Sequence, residues 1–186
     1  MSCGENDKPD INDGSPSSDT LGIYKYIIAG DTSFNVDYYC FIPPIRLSPI
    51  GEPFYIWDSV DLDKDQTYDF KFFIAGTSND VTGYGFGASI LSINNSNEIA
   101  FSWQNDFPDV FDLNDTISDN LNWICCESGI LTSQFNDGEL EGNWTDQENK
   151  FLATRLINQD TLYCWMRMDI EFWGDFVIYD YGIMKK

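Results

Sequence analysis

Histidine is absent from this chain, and basic residues are scarce: 10 Lys and Arg stand against 31 Asp and Glu, for a formal net charge of -21. Without imidazole, Ser-His-Asp and Cys-His nucleophile systems are excluded, and so are zinc sites built on histidine. The carboxylate excess disfavours nucleic acid and anionic membrane surface as partners, leaving cations, sugars and basic proteins open. No apolar run reaches the roughly 20 residues that a membrane-spanning helix needs. No period of roughly 20 to 50 residues repeats, which argues against a propeller or solenoid.

What the chain does have is aromatic surface. Hydrophobic residues make up 42% and aromatics 16% of 186 residues. Short apolar runs alternate with Asn, Asp, Gly and Ser, the composition of many short strands rather than long helices. The expected strands cover 22–29, 37–42 (ended by Pro43-Pro44), 54–57, 70–75, 84–93, 99–103, 122–126, 151–157, 162–170 and 176–181. The acidic stretch 105–120 lacks a clean period and reads as a long loop with a helical turn. This spacing fits an all-β fold, an antiparallel β-sandwich or jelly roll, as one domain over 21–186.

Residues 1–20 differ in kind. Ser2-Cys3-Gly4 matches the end of a bacterial lipobox, which makes Cys3 the expected lipid-attachment residue after signal-peptide removal, with Met1 an expression start. The following "GENDKPDINDGSPSSDT" is polar, acidic and rich in Pro, Gly and Ser, a flexible tether between membrane and domain. Its Glu5 and Asp7 resemble the acidic signal that sends some Gram-negative lipoproteins to the outer face of the outer membrane. Cys40, Cys125, Cys126 and Cys164 remain, and an exported compartment permits disulfides among them; sequence leaves the pairing open.

The densest cluster of charge is "VDLDKDQTYDFKFF". Asp61, Asp63 and Asp65 occupy positions 1, 3 and 5 of a short loop, Thr67 offers a carbonyl at position 7, and Asp69 a carboxylate at position 9. Carboxylates that close repel unless a cation gathers them, and all-oxygen coordination is what calcium prefers. An EF-hand is a poor fit, because position 12 is Phe72 rather than glutamate and the flanks read as strands. The stretch resembles the D-x-D-x-D-G-x-x-D calcium loops of FG-GAP repeats and related extracellular β-domains. That resemblance implies structural calcium held by Asp61, Asp63, Asp65, the Thr67 carbonyl and Asp69. Gln66 stands where those loops have glycine, at a turn that often needs positive φ. The alternative is a solvated acidic hairpin.

From 60 to 184, the order of "DFKFFIAG", "GASILSINNSNEIAF", "KFLATRLINQDTLYCWMRM" and "DFVIYDYGIM" resembles a group of uncharacterised secreted bacterial β-domains, often lipoproteins. The resemblance implies fold and location and lends no chemistry. Within it, Tyr163, Trp165, Arg167 and Asp169 share one face of a strand. Such a ladder could stack on a sugar ring; the same pattern fits a central strand with aromatics packed beneath a loop. For a glycoside hydrolase, paired carboxylates would be sought among Glu127, Glu139, Glu141 and Glu171. The expected function is therefore a calcium-stabilised binding or accessory lipoprotein of the cell envelope, with glycan or envelope protein as partner. The rival is a sugar-active jelly-roll enzyme.

Overall fold

The computed structural model describes residues 26–33, 35–51, 53–79, 83–125, 128–136, 138–171 and 175–186. Cys3 and the 1–20 tether lie outside these residues, as do Cys126, Glu127 and Trp173. The described chain is all β: β1 (Tyr26–Ile28), β2 (Val36–Leu47), β3 (Phe54–Val60), β4 (Phe70–Asn79), β5 (Gly83–Ser92), β6 (Glu98–Phe101), β7 (Thr116–Ser118), β8 (Asn122–Cys125), β9 (Ser128–Phe135), β10 (Gln147–Ile157), β11 (Thr161–Ile170) and β12 (Phe176–Met184).

Two antiparallel sheets form a sandwich. One has the order β2-β12-β11-β10-β6-β8 and the other β3-β4-β5-β9. Strand period 2 supplies the core between them. Phe70, Phe72 and Ile74 of β4 and Ala88 and Ile90 of β5 face Leu152, Leu156, Leu162, Cys164, Met166 and Met168 across the gap. The expected sharing of one face by Phe70, Phe72 and Ile74 is what the register delivers.

A second core lies on the far side of the six-stranded sheet. There Ala153, Phe151, Tyr163 and Trp165 pack with Ile27, Phe111 and Ile117. Its lid is the small β1-β7 pair, in which Ile27 faces Ile117 in register. This corrects the expectation for 105–120. That stretch holds no helical turn: it crosses the sheet through bridges at Pro108 and Phe111 and then forms β7. Phe111 and Ile117, six residues apart, carry this, too sparse to show a period.

Two other expectations need correction. Pro43-Pro44 does not end a strand, since β2 runs on to Leu47. The prolines fall where the ladder skips, between the Cys40–Asp180 and Ile45–Ile178 pairs, on an edge strand; a residue without an N–H is tolerated there. Strand β9 was not anticipated, because "SGILTSQF" mixes small polar residues with three apolar ones. Cys164 is a buried free thiol in the central core. Cys40 and Cys125 sit on the two opposite edge strands of the six-stranded sheet, about five strand spacings apart, beyond disulfide reach.

Candidate metal centre

The aspartate loop joins β3 to β4 at one end of the four-stranded sheet. Leu62 pins it: the side chain is fully buried in the central core, so its neighbours Asp61 and Asp63 are carried to the other side of the backbone. Three carboxylates then bend the chain. Asp61 Oδ2 accepts the Gln66 N–H at 2.9 Å, Asp63 Oδ1 the Asp65 N–H at 3.3 Å, and Asp65 Oδ1 the Thr67 N–H at 2.7 Å. These local bonds are the usual habit of aspartate in turns.

The result is convergence. One oxygen from each of Asp61, Asp63 and Asp65 lies within 4.8 Å of the others. Two ligands of one calcium ion can be no further apart than about 5 Å, twice a Ca–O bond, so the separation fits. Asp61 Oδ1 is buried and accepts no hydrogen bond from a described residue. A buried carboxylate oxygen left unpaired costs free energy that a cation would recover. The nearest cations are modest substitutes. Lys186 Nζ stands 3.8 Å from Asp63 Oδ2, and Lys64 turns away to lie 3.2 Å over the Tyr39 ring.

Asp69 is set apart from those three by the hydrogen bonds it accepts. Its Oδ2 accepts the Leu62 N–H at 2.8 Å and its Oδ1 accepts from Asn97 Nδ2 at 2.9 Å. It is buried and stands outside the three-carboxylate cluster, stitching the loop to the turn after β5. Burial, reinforced by the charges of Asp63 and Asp61 and opposed by the two hydrogen bonds, pushes its carboxyl up to about 6 from 3.8. The folded state therefore holds a proton here that the unfolded chain has released. Stability from this group is complete below about pH 4 and is lost as pH rises through about 6. In metal-free buffer, the stability of the wild type relative to Asp69→Asn is expected to fall between pH 4 and 7, by up to roughly 3 kcal/mol. A pH-independent difference in urea titrations would contradict this.

Gln66 does adopt the conformation that glycine favours, with φ 73°, and Lys64 has φ 60°. Gln66→Gly is expected to stabilise the fold by about 0.5–1 kcal/mol, the relief of a left-handed side chain less the added entropy of the unfolded chain. Equilibrium denaturation would detect it as a raised midpoint with unchanged slope.

The sugar-stacking ladder is not at the surface. Tyr163 is 2% and Trp165 1% exposed, both within the second core. Burial and the Asp119 carboxylate push the Tyr163 phenol up to about 12. Arg167 is committed to a buried carboxylate, donating from Nε to Asp180 Oδ1 at 3.0 Å and from its Nη2 to Asp180 Oδ2. The physical reason is that β11 is central and covered on both faces, so alternation along it distinguishes two cores rather than core from solvent. Glu139, Glu141 and Glu171 are exposed, and Glu127 lies outside the described residues.

The solvent-facing aromatics are elsewhere. Tyr55 is 57% and Trp57 54% exposed on β3, beside Phe73 and Lys71 of β4. The signal was available, as "YIW" and "KFF" alternate in adjacent strands with Ile56 and Phe72 turned inward. No protein-family model matches the chain, and no curated protein or solved structure matches it.

Proposed function

We propose that this chain is a calcium-stabilised binding or accessory module of a bacterial cell envelope, held at the outer membrane by lipid on Cys3. The observation that carries the calcium reading is the convergence of Asp61, Asp63 and Asp65 around a buried Asp61 oxygen that has no hydrogen-bond partner among the described residues. Those three side chains would hold the ion, with the Thr67 carbonyl and water completing an oxygen shell. Bound there, calcium supplies charge neutralisation and ties β3 to β4. The lipobox-like Ser2-Cys3-Gly4 and the polar tether support the anchor. The exposed pair Tyr55 and Trp57, side by side on the four-stranded sheet, supports a binding role.

The test is thermal unfolding of the chain in EDTA, calcium and magnesium. A site with a dissociation constant of about 10⁻⁴–10⁻³ M, the extracellular range, is expected to add roughly 1.5–3 kcal/mol at 10 mM calcium (about 10–100 times that constant). In a domain of this size that is a rise on the order of 5 °C. Magnesium should give little, since it dehydrates reluctantly and demands a stricter octahedron. Asp63→Ala should abolish the rise. An equal rise in the variant, or none in the wild type, would leave the loop a self-capped turn.

A further inference from the structure

The outward face of the four-stranded sheet carries a second feature that the aspartate loop does not explain. Toward its β3 edge the outward positions are Tyr55, Trp57 and Ser59 on β3 and Lys71, Phe73 and Ala75 on β4. In a chain with 31 acidic residues, these positions hold no carboxylate and a single charge, the ammonium of Lys71; the exposed Glu141 of this face is bridged to Ser133 beyond β9, at the opposite edge. That ammonium lies 4.4 Å from the Trp57 ring centroid and 5.3 Å from that of Tyr55. Among the described residues no carboxylate forms an ion pair with it. Phe73 braces Tyr55 from the neighbouring strand at 5.7 Å, ring to ring.

We propose that Tyr55, Trp57 and Lys71 form a binding site for an acidic saccharide, such as a uronic-acid-containing glycan. The two exposed rings stand two residues apart on an edge strand, about 7 Å along it, so that one oligosaccharide can reach both. Aromatic faces take the C–H face of a sugar ring, and a cation positioned between them takes a carboxylate by a charge-assisted hydrogen bond. The long lysine stem covers apolar surface while its head stays available. The protein's acidic bulk does not forbid an anion here, because charges more than about 8 Å away are largely screened at physiological salt. At Lys71 an incoming carboxylate meets an ammonium held over two ring faces and in no ion pair among the described residues. The site deepens the reading of the chain as a binding module by naming its ligand class, and it needs no calcium.

The experiment is isothermal titration of the full chain with an oligoglucuronate and with the same oligosaccharide after carboxyl reduction, in EDTA and again in calcium. The acidic form is expected to bind about tenfold tighter than the reduced form, as one charge-assisted contact provides. Lys71→Ala should bring the acidic form down to the affinity of the reduced one, Lys71→Arg should retain the preference, and Trp57→Ala should remove binding of both. Trp57 is exposed and Lys71 lies on the same open face, so these variants should unfold within a few degrees of the wild type, which separates lost binding from lost fold. Equal affinity for the two sugars, no change in Lys71→Ala, no binding of either sugar at millimolar concentration, or equal binding of polyglutamate would each overturn the proposal. Sugar binding in EDTA without a calcium-induced thermal shift would sustain this site and remove the metal; the converse would sustain the metal alone.

Discussion

Trp165→Ala is expected to cost about 3–5 kcal/mol of unfolding free energy, the range for emptying a large buried aromatic site. In a domain of this length the melting temperature should fall on the order of 10 °C. The indole is 1% exposed. It meets Phe151 edge-on at 5.4 Å and Tyr38 at 6.0 Å. Across the ladder it lies opposite Gly182, where a Cβ would come within 2.4 Å of the ring. The ring thus fills space that β12 vacates by having glycine there, and alanine at 165 would leave a void that a rigid sheet cannot collapse into. Trp57→Ala is the internal control. On the open face it should cost well under 1 kcal/mol, as surface substitutions usually do. Equal losses in the two variants would contradict the assignment of Trp165 to a core and of Trp57 to the surface.

Arg167→Ala is the second large effect, expected at about 3–5 kcal/mol, for an electrostatic reason. Asp180 is 2% exposed and receives three donors, two from Arg167 and the Tyr38 hydroxyl at 2.9 Å. Removing the guanidinium leaves a carboxylate in a low-dielectric site with one neutral donor. The double variant Arg167→Met/Asp180→Leu removes both charges and keeps the volume, so it should lose markedly less than the single variant. Chemical denaturation of the three proteins decides the matter. If the double variant is as unstable as the single one, packing of the arginine stem rather than the stranded charge dominates.

Both variants fall on strand 161–170, whose alternation of residue type is legible in the sequence but does not say which face meets solvent. Tyr163, Trp165 and Arg167 do share a face. Whether that face meets solvent depends on β1 and β7, short strands distant in sequence that cover it. The aspartate loop shows the same division. Its spacing brought Asp61, Asp63 and Asp65 together, because residues at i, i+2 and i+4 of a tight loop converge by local turn chemistry alone. Asp69 left that group because Leu62 and Asn97, the latter 28 residues on, supply donors that only the packed loop brings near.

By itself, the sequence determined the β class, the rough place of most strands, the inward set Phe70, Phe72 and Ile74, and the crowded carboxylates of the β3–β4 loop. These follow from period, composition and turn preference, which act over a few residues. Tertiary structure alone decided which strands lie at an edge and which at the centre, and hence which faces stay open. That is why Trp165 is core and Trp57 is surface, although each belongs to an alternating aromatic strand: exposure is set by what packs against a face, and the covering residues come from far along the chain.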